Sequence, residues 1–278
     1  MVHPLSVPWV WLPSAFVLGA MIGSLLNVCI LRMPLGRSLW WPGSCCNSCL
    51  RPIAWYDNLP LVSYCWLRGR CRQCQASFSI RYFWIELLMA VLFALLWYLD
   101  VVLDLRGFTR RADGGRTWST LPYLVPVWFH HVCLASFLVG ASFLALSQRE
   151  VPRSFLVLGT MVGVVETILL PWPTPLWRSI SSGGLMRVIS VCVGGLAGYA
   201  IMELPRRLSG RLLVGTDVGV MLLIGIYVGW QAAVMAGVVG LVSFVAVRAV
   251  FRRQDWSVVP FVSAATLGLV LASAGSRL

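Results

Sequence analysis

Long apolar runs dominate this chain and decide the solvent in which it can fold. Residues 7–30 carry no charge at all, and apolar runs with at most three charged residues recur near 82–104, 120–147, 153–170, 183–203, 212–229, 231–247 and 257–274. A helix needs about 20 apolar residues to cross a hydrocarbon core of ~30 Å. Only 12% of the residues are Asp, Glu, Lys or Arg, against a usual share of about 25%. A soluble globular fold is a poor match. The expectation is an all-α polytopic membrane protein with about eight transmembrane helices. The first run lacks a basic start and has no clean cleavage site, so it reads as a retained span and not as a secretory signal.

All 22 basic residues are Arg, and the net charge is +12. These residues are dispersed over short loops between apolar runs, which suits membrane topology and anionic headgroups and argues against a nucleic-acid partner. Eight spans would put most of the Arg residues, among them Arg32, Arg37, Arg51, Arg149, Arg206 and Arg252, on one side. By the positive-inside rule that side is cytoplasmic, although the four Arg of the 105–117 loop pull the other way. The organisation expected is a first transmembrane helix over 1–30, a cytoplasmic cysteine lobe over 31–81, and a transmembrane domain over 82–278. Gly229-Trp230 reads as a sharp reversal between two runs.

Between the first two runs lie Cys46-x-x-Cys49 and Cys71-x-x-Cys74. Two-residue gaps let one turn present both sulfurs to the same ion, and four thiolates surround Zn²⁺ tetrahedrally. A lobe this small cannot bury a large core, so metal binding would contribute its folding energy. Disulfides, redox chemistry and unmodified thiols are the alternatives. Cys45 could exchange register with Cys46 but lacks the spacing to Cys49. Cys29, Cys65, Cys133 and Cys192 read as apolar packers.

The motifs from Gly23-Ser24-Leu25-Leu26-Asn27-Val28 through Arg32-Met33-Pro34, the cysteine pairs, Trp55-Tyr56-Asp57-Asn58-Leu59-Pro60, Leu67-Arg68-Gly69-Arg70-Cys71, Ile80-Arg81-Tyr82 and Glu86 together resemble the N-terminal half of the prepilin peptidase family. That resemblance implies a polytopic aspartic protease of the bacterial inner membrane, with its cysteine lobe cytoplasmic. The implied substrates are type IV pilin-like or pseudopilin precursors with basic leaders. It further implies N-methylation of the new N-terminus from S-adenosylmethionine, a cofactor that rests on the resemblance alone.

Aspartic proteolysis needs two carboxylates that share a water and a proton. Asp217 stands thirteen residues before Trp230, as one family aspartate does, but the glycines and lysine expected around it are Val214, Thr216 and Gly219. The other family aspartate falls at Ala145, seven residues before Pro152. Glu150 is the nearby acid able to replace it, unless it is merely a solvated headgroup-level carboxylate. The alternative to a peptidase is therefore a catalytically inactive homologue that binds pilin-like helices. Glu86 and Asp57 are candidate substrate contacts, with an internal Glu86–Arg81 pair as the plainer reading of the former. His130 and His131 read as helix-contact residues, and the many Trp near predicted interfaces as an aromatic belt.

Overall fold

The computed structural model describes residues 7–104, 121–148, 150–169, 184–209, 213, 215–251 and 257–275. Seven long helices appear among them: α1 (Leu12–Arg32), α2 (Arg81–Trp97), α3 (Leu121–Gln148), α4 (Arg153–Leu169), α5 (Gly184–Ser209), α6 (Gly215–Phe251) and α7 (Val259–Gly275). Pro13 occupies the first turn of α1, where its missing N–H costs nothing. A 3-10 turn, Met33–Leu35, ends that helix, and Gly36 closes it at φ 62, a conformation that glycine adopts freely. α2 runs on into a π turn, Tyr98–Val102.

Among the described residues five helical stretches are long and apolar enough to cross a membrane: Pro8–Leu35, Arg81–Val102, Leu124–Ser147, Val188–Leu208 and Gly215–Val250. The protein is thus a multi-pass membrane protein, but the expected count of about eight is not met: five stretches qualify among the described residues. Among the described residues α4 and α7 have 17 residues each, a rise of about 26 Å. The runs at 212–229 and 231–247 form one helical stretch, α6, interrupted at Gly229 (φ 78, ψ 171). A straight helix of that length would extend about 55 Å. Instead, a Cβ on Gly237 would stand 3.1 Å from Met221 Cε, so the chain folds back at Gly229.

Close packing explains the small residues. α1 and α2 run antiparallel, with Gly23 so near α2 that an added Cβ would lie 2.6 Å from Glu86 Cα. Gly194 of α5 and Gly225 of α6 face each other, and a methyl on either would strike the other's carbonyl oxygen. Small residues of this kind let helix backbones approach in lipid, where van der Waals packing replaces the hydrophobic drive. Ile85, Met89, Leu134, Leu138, Leu144 and Ile224 fill the interior. Arg106, Arg110, Arg111, Arg116, Arg149, Arg211, Val214 and the Pro171, Pro173 and Pro175 break lie outside the described residues.

Candidate functional site

The two cysteine pairs fold into near-identical knuckles. In the first, Leu50 N–H donates to Cys46 O at 2.9 Å and Cys46 N–H to Arg51 O at 3.0 Å. In the second, Gln75 N–H donates to Cys71 O at 3.0 Å and Cys71 N–H to Ala76 O at 2.9 Å. The residue after each pair, Leu50 or Gln75, takes φ 58, which turns the chain back over the sulfurs. The bridges Cys45–Pro52 and Arg70–Ser77 close the knuckles at matching positions.

Together the knuckles bring Cys46, Cys49, Cys71 and Cys74 into one cluster whose Sγ atoms all lie within 4.8 Å of one another. Cys46 Sγ and Cys74 Sγ are 3.7 Å apart, far beyond a disulfide bond. Zn–S bonds of ~2.3 Å in a tetrahedron set sulfurs about 3.8 Å apart, so this donor set fits such an ion. The cluster is therefore capable of chelating a metal. Backbone N–H groups of Cys49 and then Ser48 lower the Cys46 thiol to about 6. At Cys74 the Ala76 N–H pulls downward, but desolvation and the thiols of Cys49, Cys46 and Cys71 outweigh it and raise the group to about 11.

Asp57 lies beside this cluster, where Arg72 clasps it through Nε at 2.8 Å and Nη2 at 2.6 Å. Those hydrogen bonds hold its carboxyl below the usual range. Glu86, buried in α2, accepts the Leu61 N–H at 2.8 Å and so ties the lobe to the helices. Leu61 sits at φ 63, a costly conformation for a residue with a Cβ, and this bond helps to hold it there. Arg81 forms no ion pair with Glu86 among the described residues and reaches Ser147 Oγ at 3.1 Å. Asn27 Nδ2 donates to Tyr82 O at 3.1 Å, linking α1 to α2.

Asp217 stands in the first turn of α6 and is only 2% exposed. Ser257 Oγ donates to its Oδ1 at 3.2 Å. Ala145, where the family resemblance puts the other aspartate, is buried at 3% exposure, whereas Glu150 is exposed.

The sequence reading missed a buried polar network. His131 Nδ1 meets Asp100 Oδ2 at 2.8 Å, joining α3 to the π turn. His130 Nδ1 lies 3.4 Å from Glu166 Oε2, and its Nε2 is 3.1 Å from Tyr227 O, joining α3 to α4 and α6. The available signal was that ionisable residues inside apolar spans are expensive and pair with one another.

Residues 17–99 match the bacterial peptidase A24 N-terminal domain. The prepilin leader peptidase/N-methyltransferase of Aeromonas hydrophila is 30% identical over 256 residues, covering 82% of this chain and 76% of that protein. The Neisseria gonorrhoeae protein of the same name is 28% identical over 275 residues, covering 87% and 84%. That of Myxococcus xanthus (strain DK1622) is 31% identical over 217 residues, covering 78% and 56%. No solved structure matches the chain.

Proposed function

The chain belongs to the prepilin leader peptidase/N-methyltransferase family, and on that premise we propose that it is an intramembrane aspartic endopeptidase for pilin-like precursors. Its substrates would be type IV pilin-like or pseudopilin precursors, each a basic leader ahead of an apolar helix. It would act at the cytoplasmic face of the bacterial inner membrane, with the cysteine lobe on that side. The observation that carries the reading is Asp217, an acid buried at the start of a membrane helix and held by Ser257. A carboxylate in such a place is costly and needs a reason.

In this reading Asp217 and Glu150 form the working pair. One carboxylate takes a proton from water as it attacks the scissile carbonyl, and the other, protonated, donates to the nitrogen of the breaking C–N bond, which leaves as the amine. Cys46, Cys49, Cys71 and Cys74 would hold Zn²⁺, whose chemistry is structural: neutralising four thiolates and fastening two knuckles together. Glu86 and Asp57 already hold Leu61 and Arg72, so they would act on substrate by shaping the lobe. Methyl transfer to the new N-terminus, and S-adenosylmethionine with it, rests on the relatives' name alone.

A second reading is favoured by one specific observation. The expected partner position is a buried methyl, Ala145, and the substitute acid Glu150 is exposed. A protein with one working carboxylate would bind precursor helices without cutting them. Co-expression with a pilin-like precursor separates the two. The peptidase reading expects processing by the unaltered protein, abolished by Asp217→Asn and by Glu150→Gln. Absence of processing, with a photo-crosslinker in the precursor helix still captured, establishes the binding reading instead.

A further inference from the structure

The cysteine lobe is fastened to the bilayer at both ends without a linker. The spans Pro8–Leu35 and Arg81–Val102 flank it directly, and because α1 and α2 are antiparallel neighbours both open onto the same membrane face. Arg32, in the last turn of α1, grips the departing chain through Ser38 O, Leu39 O and Gly43 O at 3.0–3.4 Å. The lobe therefore cannot move far from the surface from which it emerges.

Its outer surface is unusual for a domain facing water. Trp40, Trp41, Trp55 and Trp66 are between 78% and 87% exposed. Indole rings so exposed favour the headgroup layer, where one edge is apolar and the other wet. The charge is equally one-sided. Residues 36–80 hold five arginines, Arg37, Arg51, Arg68, Arg70 and Arg72, and one acid, Asp57, which Arg72 already occupies. Such an excess complements anionic lipid.

We infer that the lobe is an interfacial anchor, with its exposed tryptophans seated in the headgroup layer of an anionic bilayer and its arginines on lipid phosphates. This seating would fix the height of the lobe over the helix ends, and through the Glu86–Leu61 bond would steady the start of α2. The inference depends on the membrane-spanning helices and is independent of peptidase activity.

The test uses the full chain in nanodiscs of zwitterionic lipid, with and without phosphatidylglycerol, that contain lipid brominated near the headgroup. Trp40→Phe/Trp41→Phe, Trp55→Phe and Trp66→Phe are compared with the unaltered protein, so that each difference spectrum reports the indole removed. The expected result is that these indoles lose about half their emission to the brominated lipid and resist aqueous iodide. Quenching by lipid should increase with phosphatidylglycerol and weaken with salt. Indoles open to iodide and untouched by brominated lipid overturn the inference. So do indoles shielded from both, because protein then covers the surface. Metal retained by the cysteines shows that each variant lobe is folded, and a variant that loses it is replaced by Trp→Tyr.

Discussion

The Ser257 hydroxyl donates to Asp217 Oδ1 at 3.2 Å and accepts the Val259 N–H at 3.1 Å. One side chain thus caps the start of α7 and holds a carboxylate at the start of α6, forty residues away in the chain. A hydrogen bond to a charged group contributes about 1.5–3 kcal/mol, and its loss weakens the positioning of Asp217. Ser257→Ala should therefore lower kcat for precursor cleavage by about 10- to 100-fold while leaving KM near its original value. Ser257→Thr, which keeps the hydroxyl, should restore most of the rate. Equal loss in both variants would show that the hydroxyl bond to Asp217 is not what sets the rate.

Elemental analysis of the purified protein should find one zinc ion per chain. Cys46→Ser or Cys71→Ser should lose it and unfold the knuckles, because a lobe without a large core depends on the ion for stability. Undiminished zinc after all four cysteines are replaced would place the metal elsewhere.

Arg72 depresses the carboxyl of Asp57, chiefly through its hydrogen bonds, so the sign of the pH effect is set. A group whose folded value lies below its unfolded value of about 3.9 stabilises the fold fully above that pH. The contribution fades as pH falls through the folded value. The thermal midpoint of the unaltered protein minus that of Asp57→Asn should be constant from pH 7 to about pH 5 and shrink in stronger acid. A difference that grows on acidification would contradict this pairing.

Gly225 has room for no side chain, since an added Cβ meets the Gly194 carbonyl oxygen. Gly225→Ala should cost about 1–3 kcal/mol through forced separation of α5 and α6. Thermal unfolding in detergent measures it, and an unchanged midpoint would mean that the crossing is looser than the glycines suggest. Gly36→Ala has open space around it and serves as a control for the conformational cost alone.

Glu86 accepts the N–H of Leu61, which is held at φ 63. Glu86→Leu should speed hydrogen exchange at the Leu61 amide and loosen the lobe, whereas Glu86→Gln keeps an acceptor oxygen and should change little. Substituting Leu61→Gly in the Glu86→Leu background should recover stability by removing the strain of a Cβ at that φ. Failure to recover would mean that the carboxylate does more than hold this turn.

By itself the sequence determined that the chain lives in lipid, because runs such as residues 7–30 declare their solvent residue by residue. It also determined the cysteine pairing, since a two-residue gap acts within one turn, and the reversal at Gly229, since only glycine adopts φ 78 readily. Tertiary structure alone decided which helices pack together, because apolar runs look alike whichever neighbour they meet, as Gly194 and Gly225 show. It alone joined Ser257 to Asp217, Leu61 to Glu86, and His131 to Asp100. Those partners lie far apart along the chain, and no local periodicity encodes them. Helix packing brings them together, and the cost of leaving a buried polar group unbonded keeps them there.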